Sequence, residues 1–146
     1  MRIGLLFFLL LAGAGTACDE ALDDLGPTPN LEPTLSSIQR EIFNQTDARG
    51  RPACIQCHST AGGRIPEGGL SLAEGVSYTS LVGTPSSGKA GAVRVIPGNP
   101  DGSYMIQKLE GTSGIVGVRM PNGGPYLTES QVSVIRDWIL RGARND

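Results

Sequence analysis

Cys54-Ile55-Gln56-Cys57-His58 is the run in this 146-residue chain whose residue types and spacing carry a defined chemistry. The C-x-x-C-H pattern lets two thiols reach the two vinyl groups of one haem as thioethers, while the following histidine binds iron from one axial side. Other readings of the same residues compete. A structural zinc site needs four Cys or His ligands, and the chain holds one His and one further Cys, Cys18. A thioredoxin-like pair wants its first cysteine at a helix start after the strand of a βαβ unit. Here Arg51-Pro52-Ala53 precedes it and no such unit is visible. A plain disulfide is the remaining option. The pattern favours one covalent haem c, which is attached outside the cytoplasm, and the chain opens with an export signal.

A haem iron has two axial positions, and with a single histidine the second must go to another residue type or stay open. The thioether candidates are Met105 and Met120. Met105 shares a helical face with Leu109 at i,i+4, which fits core packing. Met120 lies in Arg119-Met120-Pro121-Asn122-Gly123-Gly124-Pro125, a Pro- and Gly-rich loop without helical or strand periodicity, free to approach a flat group and present one side chain. Met120 is therefore preferred, with Met105 or an open iron as the alternatives. Arg119 is a candidate partner for a haem propionate.

These residues need elements to position them. Ser36 and Gln39 have capping-box spacing, and Ile38, Ile42 and Phe43 fall on one face, predicting a first helix over 37–46. A second capping-box spacing at Ser71 and Glu74 predicts a weak short helix reaching Val82. Residues 84–91, with Pro85, Ser86, Ser87 and Gly88, read as a mobile loop. Asn99 can cap a helix starting at Pro100 and ending at Gly111. The strongest signal is the last. Thr128 and Gln131 form a capping box, Leu127 and Val132 a hydrophobic staple, and Val132, Ile135, Trp138 and Ile139 one apolar face before Gly142. No strand longer than 93–96 is expected.

Composition bounds the rest. Residues 1–17 hold 12 of roughly 57 hydrophobic residues, leaving about 35% over the other 129, with five aromatics: Phe43, Tyr78, Tyr104, Tyr126 and Trp138. That thin apolar content predicts a small, loop-rich domain whose folding is coupled to attachment of its prosthetic group. It rules out a long coiled coil, a large α/β enzyme and a multi-pass membrane protein, and a net charge of −2 argues against nucleic acid as a partner. Arg2, the apolar run from Ile3 to Leu11 and the small residues from Ala12 to Ala17 read as a secretory signal peptide, 1–17. Residues 18–35 contain Asp19, Glu20, Asp23, Asp24 and Glu32, no Lys or Arg, and three prolines, the pattern of an acidic, Pro-rich tether. From Ser36 onward 11 basic residues face 9 acidic ones. The domain, 36–146, is slightly basic.

Cys18, directly after the signal segment, resembles the lipidated cysteine of the bacterial lipoprotein lipobox, although Gly15 stands where that pattern prefers Leu. The alternative is ordinary cleavage near Ala14 or Ala17, leaving Cys18 as a thiol. From Ser36 to Ala143, the order of an N-terminal helix, C-x-x-C-H, a long variable middle, a methionine in a Pro/Gly loop and a C-terminal amphipathic helix resembles class I monohaem c-type cytochromes. Val95-Ile96-Pro97-Gly98-Asn99-Pro100, Arg119-Met120-Pro121 and Gly123-Gly124-Pro125 through Ala143 are further similar to haem-binding cytochrome domains of environmental bacteria. The resemblance implies a mainly α fold with long irregular loops around one covalent haem, the first and last helices crossing beside it. It implies Cys54 and Cys57 as attachment points and His58 and Met120 as axial ligands. The 62-residue separation of His58 and Met120 departs from the shortest members.

His/Met ligation leaves no ready site for oxygen or peroxide and suits one-electron exchange. The expected role is an exported electron carrier rather than an enzyme, on the periplasmic side and lipid-anchored to a bacterial membrane, meeting redox proteins transiently. Arg49, Arg51, Arg64, Lys89 and Arg94 are candidates for its docking patch. A haem-based ligand sensor, or an accessory haem subunit of a larger redox complex, is the alternative.

Overall fold

The computed structural model describes residues 30–146; the segment read as a signal peptide, Cys18 and the first part of the expected tether lie outside the described residues. The described chain is mainly helical. Its elements are α1 (Leu35–Ile38), running directly into a π-helical turn (Gln39–Phe43), then 3-10 turns at Cys54–Gln56, Ala61–Gly63 and Glu67–Gly69. α2 (Ser77–Leu81), α3 (Tyr104–Glu110) and α4 (Glu129–Leu140) follow. Among the described residues there is no extended strand, only the isolated bridges Val82 to Val95, Pro85 to Val93 and Ile96 to Asn99. No described helix is long and apolar enough to cross a membrane.

The first helix starts earlier than its sequence signal, because the cap is Thr34 rather than Ser36. Thr34 Oγ1 accepts from the Ser37 N–H at 3.2 Å, while Ser37 Oγ turns back to the Asn30 carbonyl at 3.0 Å. The amides of Leu35 and Ser36, which have no partner within the helix, find Asp146, the former at its carboxylate and the latter at its main-chain oxygen. Leu31 and Leu35 are buried in the core, so the packed unit takes in residues 30–35, which composition assigns to the tether.

α4 forms as its sequence reads. Both bonds of the Thr128–Gln131 capping box are present, Leu127 and Val132 are buried beside the helix start, and Ile135, Trp138 and Ile139 face inward. They meet Ile38, Ile42 and Phe43 of the first helical segment, with Leu81, Val95, Ile106 and Leu109, in one core. α3 packs on α4. Trp138 is 1% exposed and its indole N–H donates to the Arg144 carbonyl, so the largest apolar side chain is buried without orphaning its polar atom.

Two middle helices are shorter than their caps promise. Gly75 adopts φ +79°, a left-handed conformation that interrupts any helix begun at Ser71, and α2 starts only at Ser77. Asn99 caps a single turn: its Oδ1 accepts from the Gly102 N–H at 2.9 Å, and extended Ser103 then separates that turn from α3. α3 stops at Gly111 in the left-handed region, as expected. Residues 84–91 fold back as a hairpin-like turn, with Ser86 N–H on the Ala92 carbonyl and Arg94 N–H on the Thr84 carbonyl.

Candidate functional site

Cys54, Cys57 and His58 sit together on one tight turn. The His58 and Cys57 amides both donate to the Cys54 carbonyl, at 2.9 and 3.3 Å. The turn is clamped from the other side by the segment after it: Glu67 N–H donates to the Cys57 carbonyl at 3.0 Å, and Leu72 N–H to the His58 carbonyl at 2.7 Å. This pairing wraps the Gly-rich loop back onto the motif and delivers the Glu67 carbonyl to His58 Nδ1, 3.0 Å away. A carbonyl oxygen only accepts, so in the neutral ring the proton lies on Nδ1 and the lone pair on Nε2. Burial pushes the His58 imidazole below its ordinary pKa, partly opposed by the Glu67 and Leu70 carbonyls, which favours that neutral ring.

The two thiols differ. Both are unbridged, Cys57 exposed and Cys54 half-buried against the core. Cys54 Sγ donates to the Ile42 carbonyl at 3.6 Å and lies 3.8 Å from an Arg51 nitrogen. Burial raises the Cys54 thiol above its ordinary pKa, with the Arg51 charge pulling the other way. Among the described residues no three Cys, His, Asp or Glu side chains gather as a metal-ion cluster.

Arg119 and Met120 belong to a second structure, docked on the C-terminal end of α3. The last carbonyls of a helix have no partner within it. Here Lys108 O accepts from Met120 N–H at 2.8 Å and Leu109 O from Arg119 Nε at 2.7 Å. The Lys108 ammonium reaches back to the Val116 and Val118 carbonyls, and the Arg119 guanidinium lies 4.0 Å from the Tyr126 ring centre. Side chains and helix-end carbonyls thus hold a loop that has no regular pairing of its own. Arg119, as the structure has it, is anchored to α3 and Tyr126.

Cys54, Met105 and Met120 all pack half-buried against the same core, together with Ile55, Leu70, Tyr78 and Val82. Packing alone thus does not separate Met105 from Met120. Ile38, Phe43, Ile135 and Trp138 are covered by protein atoms, so none of them is open to a flat prosthetic group. Two neighbouring thiols and a histidine with its lone pair on Nε2 form the donor set that a covalently attached haem requires, and these residues fit one. A shallow groove between Glu110, Arg119, Leu127 and Arg136 includes no residue of the pentapeptide.

The expected docking patch loses two members. Arg51 and Arg94 are buried, not displayed. Arg51 pairs with Asp47 at 3.2 Å and donates to the Ile42, Gln45 and Pro52 carbonyls, and Arg94 likewise serves backbone carbonyls. Loops with few apolar residues leave carbonyls inside that need donors, and a five-donor guanidinium satisfies several at once. Charge count gives no sign of this. The Glu67 carbonyl was equally hidden from sequence reading, being a main-chain atom whose place depends on the path of the loop. Compared with known proteins, the chain matches no family model, no curated protein and no solved structure.

Proposed function

We propose that this chain is an exported monohaem c-type cytochrome with a class I-like fold, acting as a one-electron carrier tethered to a membrane by lipidated Cys18. The observation that carries the reading is the His58 ring, held through Nδ1 by the Glu67 carbonyl on the same turn that presents both thiols. A ligating histidine needs its second nitrogen fixed in this way, so that ring orientation and tautomer are set before iron is bound.

In this reading Cys54 and Cys57 hold the haem covalently and His58 Nε2 binds its iron. The α3-docked loop presents Met120 as the second ligand. Haem so bound supplies one-electron exchange between ferrous and ferric iron, at a potential raised by the thioether. Arg119, steadied by Leu109 and Tyr126, keeps its charge close to Met120, where a propionate is a suitable partner. Exposed Arg49 and Arg64 with half-buried Lys89 remain the cationic candidates for a small, transient docking patch. The acidic segment after Cys18 gives the domain reach between fixed redox partners.

Production with export and haem-attachment machinery tests the reading. The expected product carries haem that stays with the polypeptide after denaturation; its absence overturns the proposal. In the ferric protein, Met120→Ala abolishes the weak far-red sulfur-to-iron absorption band and Met105→Ala leaves it. The opposite pattern moves the ligand to Met105. Carbon monoxide binding to the unsubstituted ferrous protein transfers the reading to a ligand sensor.

A further inference from the structure

Arg94 is 7% exposed and has no carboxylate within ion-pair distance among the described residues. A buried guanidinium without a counter-charge is costly, and it persists where its donors are satisfied and the charge has a use. Both of its terminal nitrogens have partners. One terminal nitrogen donates to the Ser80 carbonyl at 2.7 Å and lies 3.4 Å from the Ser80 hydroxyl. The other donates to the Gly68 and Gly69 carbonyls, each at 3.1 Å. Gly68 and Gly69 hold successive positive φ angles of 62° and 60°, a path that L side chains rarely adopt and that turns both carbonyls to one donor.

These glycines complete the turn that starts at Glu67, whose carbonyl holds His58 Nδ1. The Arg94 main chain points the other way: its carbonyl accepts from Met105 N–H at 2.9 Å in the first turn of α3, the helix whose far end carries the Met120 loop. With both terminal nitrogens engaged, no paired N–H fork is left for a carboxylate, so Arg94 is not built as a propionate site.

We propose that Arg94 is a positioning residue for the His58 ring: its guanidinium fixes the Gly68–Gly69 carbonyls, and with them the Glu67 carbonyl that sets the ring's orientation, while its uncompensated charge lies on the turn that holds His58, the residue that would bind iron. The second part rests on the haem reading above. A nearby buried cation disfavours ferric iron relative to ferrous, so Arg94 raises the reduction potential.

Two substitutions separate the fork from the charge. Nitrogen-15 NMR reads solvent exchange of the His58 Nδ1–H in the folded protein as isolated, a hydrogen bond between two groups of this chain. Arg94→Gln and Arg94→Lys both lose the fork, and each is expected to exchange about tenfold faster, the worth of one hydrogen bond. In the haem-loaded protein Arg94→Gln lowers the potential and Arg94→Lys, which keeps the charge, stays near the parent. Ser103→Ala, which removes a buried hydroxyl elsewhere, lowers the melting temperature and leaves both readouts unchanged. If Arg94→Gln does not accumulate as folded protein, Arg94→Lys carries the exchange measurement. Parental exchange rates in the Arg94 variants overturn the positioning role, and an unchanged potential in Arg94→Gln overturns the charge role. A folded unsubstituted protein without covalent haem defeats the proposed function instead, and the exchange measurement still decides the positioning role.

Discussion

Two regions of this domain are stabilised by different means. The helical scaffold of α1 with its π-helical turn, α3 and α4 buries Ile38, Phe43, Ile106, Ile135, Trp138 and Ile139 in one core, and its strength is apolar area removed from water. The loops from Asp47 to Gly75 and from Thr112 to Leu127 carry Cys54, Cys57, His58, Arg119 and Met120. They contribute few apolar side chains to that core, and Arg51, Arg94, Lys108 and Arg119 hold them by donating to loop or helix-end carbonyls. The difference assigns separate tasks. Packing makes the frame, and directed hydrogen bonds make the site, because orientation at a ligand matters more than burial and packing is not directional.

The largest expected effect falls on both regions together. If Cys54 and Cys57 hold a haem as proposed, Cys54→Ala/Cys57→Ala is expected to lose most of its helical far-ultraviolet circular dichroism under conditions where the parent is folded. Retention of the parental helical signal would show that the scaffold stands alone and that only the loops depend on the prosthetic group. Trp138→Ala comes next. Removing this fully buried ring is expected to cost about 3–5 kcal/mol by denaturant titration of the protein as isolated.

Arg51→Met follows, at about 2–3 kcal/mol, because Asp47 and several loop carbonyls lose their donor. Its signature is local as well as global: faster proteolysis within 44–53, with α4 protected against hydrogen exchange as in the parent. A near-neutral Arg51→Met would mean that packing holds the loops too, and the contrast between the regions would disappear.

Legibility in the sequence follows the same division. α4 could be read residue by residue, since a capping box, a staple and a 3.6-residue apolar period all act within the element itself. Gly111 as the stop of α3 was legible for the same reason. The caps at Ser36, Ser71 and Asn99 misled because each motif is satisfied locally in several ways. Thr34 captures the first helix two residues earlier, Gly75 breaks the second, and Ser103 closes the third into a single turn. Arg51 and Arg94 were read as surface charge because most arginines are, and their burial depends on carbonyls contributed by distant segments.

The sequence by itself determined the candidate chemistry: two thiols and a histidine within five residues, one remaining thioether in a Pro/Gly loop, and an amphipathic last helix. These are short-range properties, fixed by covalent spacing and helical period. Only the tertiary structure decided that the Glu67 carbonyl faces His58 Nδ1, that the end of α3 carries the Met120 loop, and that Arg94 lies inside with its charge unpaired. Each of these joins groups far apart in the chain, through main-chain atoms that every residue possesses and no residue type announces.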